Sequence, residues 1–133
     1  MLRFVRLLIA RRRLRDMSHE RSRLSLNRFL HGATKVWHGV NLGQPDWSPS
    51  SHSLAFDALV PGGELRVHII WNAYWEPLDF ELPLLDHPAQ TWRRWIDTTL
   101  ESPHDIVDWQ QATPITGRSY RAGPRSVVVL IEV

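Results

Sequence analysis

Residues Lys35–Pro83, KVWHGVNLGQPDWSPSSHSLAFDALVPGGELRVHIIWNAYWEPLDFELP, decide how this chain folds. Within them Leu65, Val67, Ile69 and Trp71 alternate with Arg66, His68, Ile70 and Asn72, the period-two signature of a strand with one face in a core. Ser53 to Leu59 is a second strand, and Pro61-Gly62-Gly63 between the two reads as a hairpin connection. Asn41 to Ser53, rich in Gly, Pro and Ser, reads as a long surface loop. Asn72 ends the best-defined strand at a position where an asparagine side chain caps a turn, and Glu76-Pro77 restarts the extended chain.

Working outward, further strands are expected at Thr34 to Val40, Leu78 to Leu82, Trp92 to Asp97, near Ser119 to Ala122, and Ser126 to Val133. The closing run SVVVLIEV is continuously apolar, as expected of a central strand covered on both faces. Upstream, Leu2 to about Leu14 lacks Gly and Pro and reads as a short amphipathic helix. Its apolar residues Leu2, Val5, Leu8 and Ile9 group at helical spacing, with Arg3, Arg6 and Arg13 elsewhere around it. Asp16 to Asn27 is polar without a sustained period and reads as a linker or an irregular extension of the helix. Many short strands with little helix after the first segment predict a mainly β protein: an antiparallel β-sandwich preceded by an N-terminal α-helix. The boundaries expected are helix and linker over residues 1–30 and sandwich over 31–133.

A chain of 133 residues fits one domain. The absence of cysteine excludes a disulfide framework, thiolate metal sites and cysteine nucleophiles. The formal charge of +2 is unevenly spread: residues 1–35 hold ten Lys or Arg against two acidic residues, the remainder six against twelve. A basic head on an acidic body invites a nucleic-acid or anionic-surface reading. The basic residues lack aromatic interleaving, however, so Arg11, Arg12, Arg13 and Arg15 read instead as a solvated helix face or a protein-interaction surface. Neither nucleic acid nor membrane is the expected partner: no apolar run approaches the roughly 20 residues of a spanning helix. Arg3 and Arg6 interrupt what a secretory signal would need as an apolar core, while the Arg-rich start also resembles an organelle transit peptide.

Seven tryptophans mark the chain, and indole rings serve sugar-binding surfaces because a flat π face matches the C–H face of a pyranose. Trp37, Trp71, Trp92 and Trp95 lie on strands and read as core or inter-sheet residues. Trp47, in a loop, and Trp75, at a strand end, are the carbohydrate-binding candidates, with loop anchoring as the alternative role. Asn72 joins them as a candidate for a sugar hydroxyl, against its reading as a turn staple. The histidines show no metal-ligand spacing, so no metal and no cofactor are expected. Ser51, His52 and Asp57 make a triad only on paper, because nothing like G-x-S-x-G surrounds a serine.

Several segments fall in an order and spacing that point to one family: Trp37-His38-Gly39, Pro45-Asp46-Trp47-Ser48, Ser53-Leu54-Ala55-Phe56, Asn72-Ala73-Tyr74-Trp75-Glu76-Pro77-Leu78 and Phe80-Glu81-Leu82-Pro83. Trp92-Arg93-Arg94-Trp95-Ile96-Asp97-Thr98 and the run from Tyr120 to Leu130 complete the pattern. In this succession the chain resembles the C-terminal β-domain of isoamylase-type glycogen debranching enzymes, of the α-amylase superfamily. FVRLLIARRR followed by RFLHG looks like the last helix of the catalytic (β/α)8 barrel and its link into the sandwich, although Arg15 to Leu26 lacks the His-Pro expected there.

The resemblance implies a domain that supports or caps a catalytic barrel in α-glucan metabolism, with the barrel, in the same or another chain, as its partner. A stand-alone α-glucan-binding module and a protein-interaction domain using the basic helix are the alternatives, and self-association through that helix is a further expectation. The family's catalytic carboxylates come from barrel loops, where a retaining pair sits about 5 to 5.5 Å apart. None of Asp46, Glu76, Asp79, Glu81, Asp97, Asp105 and Asp108 has such a context, so no catalytic residue is expected and the chain is expected to be inactive alone. The family also implies a cytoplasmic setting.

Overall fold

A computed structural model describes residues 2–19, 32–59 and 65–133, with side chains of the helix described through residue 10. The elements are α1 (Leu2–His19), β1 (Thr34–His38), β2 (Ser53–Leu59), β3 (Arg66–Asn72), β4 (Leu78–Glu81), β5 (Trp92–Asp97), the 3-10 turn η1 (Trp109–Gln111), β6 (Thr113–Pro114), β7 (Ser119–Ala122) and β8 (Ser126–Glu132). The strands form an antiparallel sheet in the order β1-β2-β3-β8-β5-β6 and a two-stranded sheet, β4-β7, packed on it. This is the mainly antiparallel sandwich with one N-terminal helix that the strand pattern predicts. The hairpin connection at Pro61-Gly62-Gly63 and the linker beyond His19 lie outside the described residues.

Register determines what each face of the large sheet presents. The row Trp37, Phe56, Ile69 and Val129 runs across β1, β2, β3 and β8 on the outer face. The neighbouring row His38, Ala55, Ile70 and Val128 faces inward, since successive side chains alternate. Inward residues Ala55, Ile70, Trp92, Val128 and Leu130 join Phe80, Leu82 and Ala122 of the β4-β7 side in the principal core. On the outer face Ile96, Ile106 and Val129 form a second cluster, onto which Phe4 and Leu7 of α1 pack with Val67, Ile69 and Trp95. β8 is therefore covered on both faces, as its continuous apolar run requires.

Three details correct the sequence reading. In β3 the buried set is His68, Ile70 and Asn72, whereas Val67, Ile69 and Trp71 are half-buried on the outer face. Trp37 is not core: it lies on edge strand β1, on the outer face, and is 42 % exposed. In α1, Phe4 and Leu7 make the contact, and Leu2, Val5, Leu8 and Ile9 remain exposed on the other side. Arg3 belongs with the contact residues, donating from Nη1 to the Ile106 carbonyl at 2.8 Å and pairing with Asp105. Apolar residues thus occur on both sides of the first helical turns, and spacing alone does not distinguish the stripe that meets the sheet.

A register shift between Arg94 and Ile96 lets β5 serve both clusters. Without it, Trp92 and Ile96 would share a face; the extra residue turns Ile96 outward while Trp92 stays in the inner core. The far edge of the sheet is the two-residue β6, whose Pro114 supplies no amide hydrogen to a further strand.

Candidate functional site

Two connections meet at one end of the large sheet, the β1–β2 loop carrying Trp47 and the β3–β4 turn carrying Trp75. The Ala73 amide joins them by donating to the His52 carbonyl at 2.8 Å. The loop is shaped by close backbone approach: a Cβ on Gly39 would sit 2.2 Å from the Gln44 carbonyl oxygen, so this position excludes side chains. The Gly43 amide donates to His38 Nδ1 at 2.8 Å, and the Leu42 amide to Glu81 Oε2 at 2.9 Å. Asp46 Oδ1 accepts from the Ser48 amide at 2.9 Å, which holds the carboxyl below its ordinary pKa and presents Trp47 on a tight turn.

Asn72 organises the second connection. Its Nδ2 donates to the carbonyls of Glu76 and Gly123 at 2.9 Å, with that of Ala122 at 3.2 Å, and its Oδ1 accepts from the Tyr74 amide at 3.0 Å. The Arg125 amide adds a bond to the Tyr74 carbonyl at 3.0 Å. Asn72 is 1 % exposed, so its amide is committed to the turn and presents no free group to a sugar hydroxyl. The side chain staples the segment and positions Trp75.

Both candidate indoles are open, Trp47 at 65 % and Trp75 at 62 % exposure. Each is buttressed by aromatic neighbours. Trp47 meets Trp37 edge-on with ring centroids 5.5 Å apart, and Trp75 lies 4.1 Å from Tyr74 and 6.4 Å from His52. Beside Trp47 is a cleft of about 330 Å³ lined also by Asp46, Ser48, Ser51, His52 and Trp71, and Trp75 adjoins it through His52. A second cleft, of about 320 Å³, continues beyond Trp71 and Ala73 toward Arg125 and Ser126. The structure therefore brings Trp47 and Trp75 to one end of the sheet, with Asn72 holding the turn that carries Trp75. Arg11, Arg12, Arg13 and Arg15 fall within α1, where their side chains lie outside the described residues.

The carboxylates take structural partners. Buried Asp97 accepts from Thr99 Oγ1 at 2.6 Å and from the Tyr120 hydroxyl at 2.5 Å, a tie between the two sheets. Burial, and then the hydrogen bond to Asp97, push the Tyr120 hydroxyl above its ordinary pKa. Asp57 receives Arg66 Nη2 at 2.8 Å, Arg121 pairs with Asp79 at 3.0 Å, and Asp108 accepts from the Gln110 amide at 3.0 Å. Glu76 is exposed on the β3–β4 turn. No group of three or more His, Asp or Glu among the described residues is arranged to hold a metal ion.

Sequence reasoning missed a buried imidazole pair between the sheets. His38 and His68 have ring centroids 5.8 Å apart, and His68 Nδ1 lies 4.0 Å from Asp57 Oδ1. His38 Nε2 and both His68 nitrogens have no hydrogen-bond partner among the described residues. Burial, then the neighbouring His38 and Arg66, push the His68 pKa down to about 3; burial also lowers that of His38. The only sequence signal was two histidines on the inward parity of their strands, legible once the register is known.

A family model described as Isoamylase 1-3, C-terminal, matches residues 36–123, which contain both connections and most of the core. The chain belongs to this isoamylase C-terminal domain family. Isoamylase 3, chloroplastic, of Oryza sativa subsp. japonica is 32 % identical over 113 residues, covering 84 % of this chain and 13 % of its own length. Isoamylase 1, chloroplastic, of Arabidopsis thaliana is 31 % identical over 105 residues, covering 79 % of this chain and 12 % of its own length. The isoamylase C-terminal domain described here thus spans about an eighth of the length of these relatives. The WHG, PDWS and NAYWEP segments all fall inside the matched region, and the structure ties each to the loop architecture at the sheet end.

Proposed function

We propose that this domain is a non-catalytic supporting unit of an isoamylase-type debranching enzyme, covering part of a catalytic barrel in α-glucan metabolism. The observation that carries this reading is the two-sided use of α1. Phe4, Leu7 and Arg3 fasten the helix to the outer face of the sandwich, while Leu2, Val5, Leu8 and Ile9 stand exposed along its other side. Full burial of an aliphatic side chain stabilises by about 1.5 to 3 kcal/mol, so a partner covering this stripe would gain several such increments. A helix so clamped to the sandwich is a wedge between two bodies. The acidic groups support the same reading, since Asp57, Asp79, Asp97 and Asp105 serve ion pairs and sheet ties, and Asp46 and Asp108, which line clefts, each accept from a backbone amide in a turn.

The test pairs this chain with the catalytic portion of a related isoamylase lacking its own C-terminal domain. The chain is expected to raise that portion's melting temperature and release of reducing ends from branched glucan, and to release none alone. Leu8→Glu with Ile9→Glu should abolish the support without unfolding the sandwich. Hydrolysis by the isolated chain would overturn the non-catalytic assignment, and undiminished support by the double variant would overturn the role of the exposed stripe.

A further inference from the structure

We propose that the groove at the sheet end is a binding site for a segment of α-glucan chain, with Trp47 and Trp75 as its stacking platforms. The groove is read from geometry alone, whereas the choice of an α-glucan among saccharides rests on the supporting-domain reading above.

Four observations converge on it. Trp47 and Trp75 are each more than 60 % exposed, while Trp92 of the same chain is 4 % exposed, so these two rings leave large apolar faces in water. Both rings are held in place: Trp47 by the edge of Trp37 and the Asp46–Ser48 turn, Trp75 by Tyr74 and the four hydrogen bonds of Asn72. A ligand stacking on them therefore meets a preorganised surface and little side-chain entropy is lost. The cleft beside Trp47, which His52 links to Trp75, offers the Asp46 carboxylate, the Ser48 and Ser51 hydroxyls and the His52 imidazole, the mixture of acceptors and donors that sugar hydroxyls require.

Shape supplies the fourth observation. The two clefts meet at Trp71 and Ala73, giving adjoining depressions that suit consecutive sugar units better than a single one. An α-linked rather than a β-linked chain is the ligand that the supporting-domain reading selects. Asp46 and Arg125 line the clefts, but the ligand is an uncharged saccharide, so binding should persist as salt rises.

The experiment is isothermal titration of the full 133-residue chain with maltoheptaose, with cellohexaose as the β-linked control, at two salt concentrations. Saturable, salt-insensitive binding of maltoheptaose is expected, with Trp47→Ala and Trp75→Ala each weakening it about fivefold or more. Trp75→Phe should retain most of the affinity, and Leu84→Ala, an exposed apolar residue outside the groove, should leave it unchanged. Melting temperatures of all variants establish that they are folded. Absence of binding by the folded chain, equal binding of cellohexaose, or affinity indifferent to both tryptophan truncations would each overturn the proposal. The supporting role is read through α1 and a different assay, so a chain that stabilises the barrel portion yet ignores maltoheptaose would refute the groove alone.

Discussion

Replacing Asn72 tests whether one buried amide holds the β3–β4 turn. In Asn72→Ala the carbonyls of Glu76 and Gly123 each lose a 2.9 Å bond, the Ala122 carbonyl loses its longer one, and the Tyr74 amide loses its acceptor. An amide group has two donor hydrogens, so three strong bonds to and from the side chain are the fair count. At a net value of about 1 kcal/mol each, the loss is about 3 kcal/mol, with about 1 kcal/mol more for the space vacated. For a domain of this size that corresponds to a fall in melting temperature of roughly 12 to 16 °C.

Asn72→Asp is the sharper perturbation, because it keeps the shape and exchanges a donor for an acceptor facing three carbonyl oxygens. The new carboxyl would be forced toward its protonated form, raising its folded-state pKa. A raised pKa makes the variant bind more protons when folded than when unfolded, so its stability relative to the parent should recover as pH falls and decline as pH rises. Urea melts of parent and both variants at pH 7.5 and pH 5 read these differences directly. An alanine variant within 1 kcal/mol of the parent, or an aspartate variant whose deficit is the same at both pH values, would refute the staple.

Three further outcomes follow from the core and the loops. His68, with its pKa held near 3 by burial, stays neutral when folded while the unfolded chain takes up a proton below about pH 6.5. Stability should therefore fall by about 1.4 kcal/mol per pH unit from that group as pH drops below 6.5 toward 3, and His68→Leu should flatten the profile in urea melts. Gly39→Ala places a methyl group 2.2 Å from the Gln44 carbonyl oxygen and should lower stability by about 2 kcal/mol, measured by chemical denaturation; an unchanged midpoint would show that the loop yields freely. Tyr120→Phe removes the hydroxyl that meets Asp97 at 2.5 Å and leaves a buried carboxylate oxygen without its donor, so a loss of about 2 to 3 kcal/mol is expected by calorimetry.

Local pattern carried much of the architecture. β3 was legible from its alternation and β8 from its continuous apolar, β-branched run. β6 was not, since two residues around a proline form a strand only because β5 is there to pair with them. The helix runs to His19, past the expected end near Leu14, through a polar stretch whose lack of period concealed it. At the candidate site, Trp47 and Trp75 were singled out from loop context and both are exposed. Their shared end of the sheet was not readable, because they are joined through the antiparallel pairing of β2 with β3.

By itself, then, the sequence determined the strands, the antiparallel fold class, the family and the two tryptophans that strand burial does not explain. Only the tertiary structure decided which face of each element is inside. β3 could have buried Val67, Ile69 and Trp71 against the second sheet; it turns His68, Ile70 and Asn72 there instead, and α1 covers part of the other face with Phe4 and Leu7. Burial is a property of opposed surfaces: a period of two states that a strand has two faces, and the partner packed on each face decides what lies against it.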